Sequence, residues 1–563
     1  MGARASVTPY APAVTTRRRL LGAAAWVPLA AAAPLAGCSG AGGGREIAGG
    51  FAGVAVERGH RLRDAASIPM TPARTHRVQV LIAGGGIAGL AAARALRQRG
   101  IDDFRVLELE DAPGGNSRGL RLAGLPCPLG AHYLPVPGSA AHEVQDWLEE
   151  LGLRQRVAGR WTYDERALCH SPQERLFFQG SWQDGLLPMQ GVGAGTLAQF
   201  RRFGQRIAAL QQQARFTLPA ARAPWSALHR ALDAVSFDAW LAREGFDDPH
   251  LRWYLDYCCR DDYGAGSATV SAWAGVHYFA SRHGFHAPGD DPGGEEADGV
   301  LTWPEGNGWL ARQLAAPLGE RLLAGRVVLR IEQERHGVSV DAWNVQTQDL
   351  ERWRCAHCIV ALPSFVAARV VANPPHWLRA VARAQPHASW VVVNLALDAP
   401  LHDRPGAAPS WDNVVYGSTA LGYVDAGHQR LHPVPVGPTV LTWYHALGAQ
   451  RAAREALLRL PWTHWRDAAL ADLAEPHPDL PARTTQVAVT RHGHAMAVPV
   501  PGILNLLGQT PAPTGRILLS INDSTAPLAP PRDARLSFAH ADWSGYSVFE
   551  EAFTRGHGAG RLA

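Results

Sequence analysis

The chain contains no lysine; all 54 of its basic residues are arginine. Schiff-base chemistry on a lysine is therefore excluded. It also lacks an excess of charge of either sign. Four arginines (Arg4, Arg17, Arg18 and Arg19) precede residue 38, which leaves 50 basic against 50 acidic residues in the rest. A near-neutral body gives RNA or DNA binding no support. Cysteine is sparse, with seven in the chain. Cys355-Ala-His-Cys358 is a C-x-x-C without a second pair at zinc spacing, so Cys127, Cys169, Cys258, Cys259, Cys355 and Cys358 read as buried thiols. His492 and His494 stand at i, i+2 on a strand, but no third ligand is suggested, and no metal site is expected.

The apolar stretch from Leu20 to Ala36 is shorter than the ~20 residues a membrane span needs, and Pro28 and Pro34 interrupt it. It follows Thr16-Arg17-Arg18-Arg19-Leu20-Leu21, a twin-arginine pattern, and leads to Leu35-Ala36-Gly37-Cys38, which reads as a lipobox. The expectation is export by the twin-arginine route and a periplasmic protein anchored to the membrane through a lipid on Cys38. A Gly/Ser tether runs from Ser39 to about Gly50 and should be flexible. The roughly 500 residues that follow exceed one ordinary core and suggest two interleaved domains.

The most informative stretch runs from Val78 to Arg118. Val78 to Ala83 reads as a buried strand, Leu90 to Arg99 as a helix and Phe104 to Leu109 as a second strand. Between the first two, Gly84-Gly85-Gly86-Ile87-Ala88-Gly89 has the spacing G-x-G-x-x-G. Gly84 permits the tight turn, Gly86 lets a pyrophosphate approach the backbone, and Gly89 lets helix pack on strand. The amides and dipole of the helix start favour phosphate. Glu108 closes the second strand 24 residues after Gly84, where a carboxylate accepts hydrogen bonds from ribose. Gly114-Gly115 follows shortly after.

The pattern GGGIAGL…VLELEDAPGGNSRG resembles the start of the flavin-containing amine oxidase superfamily, whose pattern phytoene-type desaturases and protoporphyrinogen oxidases share. The resemblance implies non-covalent FAD, since no cysteine follows Cys358 to provide the C-terminal attachment of monoamine oxidases. It implies a cofactor set of Gly84, Gly86, Ile87, Ala88, Gly89, Glu108, Leu109, Gly114, Gly115, Asn116 and Arg118. The family has Arg directly after the glycine pair; here Asn116 stands there and Arg118 comes two later. Further along, Val328 matches a valine that touches the adenine. At the C-terminus, Asp542 takes an acidic position against the ribityl or pyrophosphate, and Tyr546, Ser547 and Val548 lie at a helix start that would face the flavin.

The fold so implied is α/β: a Rossmann-type FAD-binding domain interleaved with an α+β substrate domain carrying a mixed sheet and a helical cap. Its segments are a signal over 1–38, a tether and lead-in over 39–76, FAD-binding parts over 77–150, 301–372 and 511–563, and substrate parts over 151–300 and 373–510. Helices are expected at His142 to Leu151, Leu197 to Ala214, Phe237 to Arg243 and Leu310 to Pro317, and strands at Arg326 to Gln333, Trp390 to Leu397, Thr439 to His445 and Ile517 to Ile521. Asp256 to Tyr263 mixes polar and aromatic residues and reads either as a cavity wall or as a loop packed on a helix. Gly289 to Gly299 reads as a solvated acidic loop.

Chemically, the resemblance implies hydride transfer from a carbon next to an amine to flavin N5, with oxygen or a membrane quinone as acceptor. The candidates for the site are Tyr444, Trp443, Tyr546, His132 and His494, with Trp543 as a further aromatic wall. Strand alternation puts Trp443 and Tyr444 on opposite faces, so only one faces a cavity. Many relatives hold a water near N5 with a lysine, a role that this chain must fill otherwise; His494, His132 and Arg491 are the candidates. Desaturation or isomerisation of a lipophilic substrate, and a flavin-binding protein without turnover, remain alternatives.

Overall fold

A computed structural model describes residues 46–63, 71–282, 284–288, 299–430, 437–510 and 535–563. The twin-arginine pattern, the lipobox with Cys38, most of the tether, the acidic run over 289–298 and the strand expected at Ile517 to Ile521 lie outside the described residues. Among the described residues, no helix is long and apolar enough to cross a membrane.

Two sheets organise the remainder. The first has seven strands, in the order Leu322–Ala324, Phe104–Glu108, Arg74–Ala83, Asp349–Val360, Val338–Asn344 and Arg326–Gln333, with Leu536–Phe538 pairing Asp349–Val360 off that path. Its first four strands are parallel, and the last two form an antiparallel wing. Strand Arg74–Ala83 becomes wholly apolar and buried over its last residues, as a strand covered on both faces must. The helix Ile87–Gln98 lies against it and is buried from Ile87 to Leu96. Its run of alanines combines high helix propensity with a slim cross-section. The last helix, Phe549–Leu562, closes on that slim surface: a Cβ on Gly556 would lie 1.9 Å from the Ala88 carbonyl oxygen, and one on Gly560 2.4 Å from that of Ala92. Glycine spacing near the C-terminus thus brings the end of the chain back to the nucleotide loop.

The second sheet has eight strands, in the order Ala48–Phe51, Thr484–Ala497, His387–Leu397, Thr439–Gly448, Tyr423–Asp425, Asp412–Val415, Glu174–Phe178 and Ser181–Asp184. Helices Ala194–Gln213, Phe237–Arg243, Pro249–Tyr263 and Ala272–Ala280 form a cap rich in aromatic contacts. The reading of Gly50 as tether is corrected here: Ala48–Phe51 pairs in parallel with Gln486–Val489, because small residues at an extended edge suit a backbone ladder despite their low strand propensity. The polar-aromatic segment at Asp256 lies in the helix Pro249–Tyr263, whose N-cap Asp248 accepts from His250 and Leu251 N–H and whose end is Gly264 in the left-handed region.

Candidate functional site

A cavity of about 940 Å³ runs from the glycine loop of the first sheet to the central strands of the second. At the loop end, Gly84 has φ +104°, and a Cβ there would lie 2.3 Å from the Ala361 carbonyl oxygen, so only glycine makes this turn. Gly114 donates to the Gly85 carbonyl at 2.8 Å, and Gly115, with φ +57°, lies beside Gly86. The two glycine pairs therefore build one backbone floor. A Cβ on Gly86 would meet nothing nearer than Gly115 Cα at 4.0 Å, which leaves the floor open to a large polar group.

Glu108 stands at the rim of this floor. Its Oε2 accepts from Gly85 N–H at 2.8 Å and its Oε1 from Glu110 N–H at 2.8 Å. Burial pushes its carboxyl up, only partly offset by the Glu110 and Gly85 amides and by Arg118. Each oxygen keeps a second lone pair for a hydroxyl donor. At the opposite wall, Asp542 Oδ2 accepts from Ser364 N–H at 2.7 Å and from His387 Nε2 at 2.9 Å, while its buried Oδ1 faces His540 Nδ1 at 3.0 Å. Burial would raise this carboxyl, but the facing His387 and His540 imidazoles outweigh it and hold Asp542 well below the usual carboxylate range. Ser547 and Val548, at the start of the last helix, line the same wall. An open glycine floor at a helix start, a rim carboxylate and a second buried carboxylate on the facing wall fit the pyrophosphate and hydroxyl groups of FAD.

Of the residues expected from sequence to hold the cofactor, Gly84, Gly86, Ile87, Ala88, Glu108, Leu109, Gly114, Gly115, Asn116, Val328, Asp542, Ser547 and Val548 line this cavity. Gly89 lies inside the helix, where a Cβ would be 1.9 Å from the Gly84 carbonyl oxygen; its part is packing. Arg118 does not line the cavity. Its guanidinium is taken up by the Gly115 carbonyl at 3.0 Å and by Glu110 at 3.5 Å.

The substrate end is walled by Tyr444, His132, Tyr133 and Trp390. Tyr444 donates to the Gly130 carbonyl at 3.1 Å, and its ring stacks on His132 at 4.4 Å. Burial pulls His132 down to about 4, and burial with nearby Arg454 takes His494 to about 3, so both imidazoles are neutral near pH 7. His494 also lines the cavity and packs on Phe365. Three expectations are corrected. Trp443 faces the other side of its strand, where Nε1 donates to Asp472 at 2.8 Å within a separate core. Tyr546 is fully buried among Tyr263, Trp273 and His277, and its hydroxyl donates to Glu551 at 2.8 Å. Trp543 likewise packs on Trp377 and Phe538, off the cavity. Sequence reading passed over Trp390, His387, Arg282 and Glu550 on the cavity wall, whereas Asp261 and Asp262 belong to the run read as either a cavity wall or a loop packed on a helix, and they line the cavity from a helix. Trp390 and His387 stand in an uninterrupted buried strand, where alternation gives no sign of which face is open.

The comparisons with known proteins agree with this geometry. The model of the family "Flavin containing amine oxidoreductase" matches residues 87–559. A protein described as a flavin-containing monoamine oxidase of Mycobacterium tuberculosis is 29% identical over 303 residues, covering 53% of this chain and 60% of that protein. Bovine flavin-containing amine oxidase B is 24% identical over 305 residues, covering 53% and 52%. The chain thus spans about 60% or less of the length of these two relatives. Among solved structures, putrescine oxidase bound to putrescine has a TM-score of 0.61 at 19% identity, covering 86% of this chain and 99% of its own, and that likeness is one of fold. On the match over 87–559, the chain belongs to the flavin-containing amine oxidoreductase family.

Proposed function

We propose that the protein is an FAD-dependent oxidoreductase that oxidises a small-molecule amine at the carbon bearing nitrogen. The observation that carries this reading is the continuity of the cavity, from the glycine floor and Glu108 to the aromatic wall of Tyr444, His132 and Trp390. When bound, FAD would supply the acceptor for the hydride. The protein's own groups then determine which form of the amine can react. Around Tyr444 the wall is aromatic and the His132 ring stacked on it is neutral, while the carboxyls that act on Tyr444, Asp412 and Asp261, are pushed toward their neutral forms by burial, so an ammonium there loses hydration for little counter-charge. That environment favours the free base, the form with an electron pair to release. The stacked rings of Tyr444 and His132 restrict how an alkyl chain can lie against them. No lysine stands near, so any ordered water must be held by other donors. His494, His132 and Arg491, the candidates for that role, all line the wall.

The lipobox at Cys38 supports a lipid-anchored periplasmic protein, with oxygen or a membrane quinone as final acceptor. The decisive experiment is anaerobic mixing of the purified holoenzyme with amines while the visible flavin band is followed. Bleaching by an amine, with peroxide formed on admission of air, is the expected result. A yellow protein that no amine bleaches would overturn the reading.

A further inference from the structure

The segment Val54–Arg63 lies ahead of the βαβ unit and of the residues that match the family, yet Val54, Ala55, Val56, His60, Leu62 and Arg63 line the cavity. Polar contacts pin it on two banks. On the first, Ala55 N–H donates to both carboxylate oxygens of Glu110, at 3.2 and 3.1 Å. Beside it, Arg58 Nη1 donates to the Leu109 carbonyl at 3.1 Å, and Arg58 Nη2 lies 2.7 Å from Asp111 Oδ1. On the second, Arg369 of the helix Ser364–Val370 donates to the Leu62 carbonyl at 3.1 Å, and the Arg61 guanidinium lies 4.7 Å over the Trp343 ring. The first bank directly follows Glu108, the rim carboxylate for ribose, so the segment spans the nucleotide end of the cavity. Its short helix, Val56–His60, has no buried residue. A segment held by surface hydrogen bonds and ion pairs, with little buried apolar area, opens locally at low cost.

The same segment carries a cation to the cavity. The FAD diphosphate is an anion, and the glycine floor offers it only amides and a helix dipole. Arg118 is spent on the Gly115 carbonyl and Glu110. Of the arginines on the cavity wall, Arg282 pairs with Asp262 and Arg326 with Glu351. Arg369, Arg454 and Arg491 donate to the carbonyls of Leu62, Gly493 and Leu458. The remaining one is Arg63, whose guanidinium has no hydrogen bond or ion pair among the described residues. After burial, Arg454 and His387, its charge helps to hold the His494 imidazole down. The next residue, Ala495, accepts from Asn116 Nδ2, beside Gly115. Arg63 therefore stands on the side of the second glycine pair.

We propose that Val54–Arg63 is a strap closed over the dinucleotide end of the cavity, with Arg63 as a cation for the FAD diphosphate, so that FAD enters and leaves only when the strap lifts. The proposal rests on FAD as the cofactor and is independent of the substrate oxidised. Glu110 joins its two parts. It takes up Arg118 and holds Ala55, so the guanidinium withdrawn from the glycine floor is replaced by one that arrives with the strap.

The test follows FAD release from the diluted holoenzyme by the rise in free-flavin fluorescence, at low and high NaCl. Arg63→Gln is expected to release FAD about tenfold faster, the scale of one charge-assisted hydrogen bond, and with a weaker dependence on salt. Arg63→Lys keeps the charge and should restore most of the retention. Arg58→Ala unpins the first bank from outside the cavity and is expected to speed release by about tenfold as well, at every salt concentration. Arg61→Ala, which frees the second bank, is the further variant should Arg58→Ala fail to fold. Hydrogen exchange of the amides from 54 to 63 should be slow in the holoenzyme and faster once FAD is removed by dialysis. Release unchanged in Arg63→Gln would overturn the role of Arg63. Release unchanged in Arg58→Ala and Arg61→Ala, or equal exchange with and without FAD, would overturn the strap. A protein that binds no FAD would overturn both together with the cofactor.

Discussion

The ring of Tyr444 lies 4.4 Å from that of His132 with 27° between their planes, while its neighbour Trp443 points through the same strand into another core. The alternation of a single strand thus separates a residue of the reaction cavity from a residue of the scaffold. Tyr444→Ala removes one face of the wall and is expected to lower kcat/KM for amines by about tenfold, on the scale of one aromatic stacking contact and its buried area, with flavin retained. Trp443→Phe loses the bond to Asp472 and should cost about 1 kcal/mol of stability, seen as a lower Tm, with kcat unmoved. A kcat defect in Trp443→Phe together with a normal Tyr444→Ala would reverse the assignment of faces.

Glu108 and Asp542 hold opposite ends of the same cradle. Glu108→Ala removes the acceptor at the rim of the glycine floor, and Asp542→Asn exchanges an anion for a neutral amide beside His387 and His540. Each is expected to weaken FAD retention by roughly ten- to a hundredfold, the scale of one or two charge-assisted hydrogen bonds. Flavin fluorescence in the filtrate after ultrafiltration measures it. Full retention in both variants would place the cofactor elsewhere.

The closure of the last helix on Ala88 and Ala92 predicts a packing effect with a chemical consequence. Gly556→Val must push the two helices apart, at about 1–3 kcal/mol, and displace Ser547 and Val548 from the cavity wall. The expected protein is less stable and pale. Gly195→Ala, where an added Cβ meets nothing, should be neutral or stabilising by about 0.5 kcal/mol and fully yellow. Thermal melts with flavin content read both, and a fully yellow Gly556→Val of normal Tm would refute the coupling.

How much of this was legible in advance depended on the range of the signal. The glycines from Gly84 to Gly89, Glu108 and the second pair at Gly114 act within one βαβ unit, and their spacing carries their meaning. The face of Tyr444 was half legible: alternation separates it from Trp443 but cannot say which side holds the cavity. Asp261 and Asp262 were visible as an unusual polar-aromatic run, but their meeting with Glu550, almost 300 residues later, depends on how the cap helix packs. Tyr546 misled because its sequence position resembles the family's while its side chain turns to Glu551 and a closed aromatic cluster. The glycines at 556 and 560 carried a helix-packing signal that only the partner alanines at 88 and 92 make readable.

Acidification sets two groups of buried residues against each other. Ten histidines among the described residues have their pKa lowered, chiefly by burial: His132, His229, His277, His357, His428, His445, His477, His492, His494 and His557. They stay neutral in the fold while their unfolded counterparts, near ~6.5, take up protons. Below about pH 6.5 the unfolded state therefore binds more protons through these side chains, and stability falls as pH falls. Five carboxyls work in the other direction: Glu108, Asp233, Asp261, Asp412 and Glu550 are raised by burial, Asp233 to about 6 and Asp261 and Glu550 to about 7. They bind protons in the fold that the unfolded chain has released above about pH 4, so their contribution is lost as pH rises toward 7. Between about pH 5 and 6.5 the histidines outnumber the carboxyls two to one, and stability should climb with pH. Above 6.5 the histidines no longer differ between the two states while the raised carboxyls still do, and the climb should end or reverse slightly. A series of urea midpoints from about pH 5 to 8 is expected to peak near 6.5, and a midpoint that rises steadily to pH 8 would show that the carboxyls are ionised and paired in the fold.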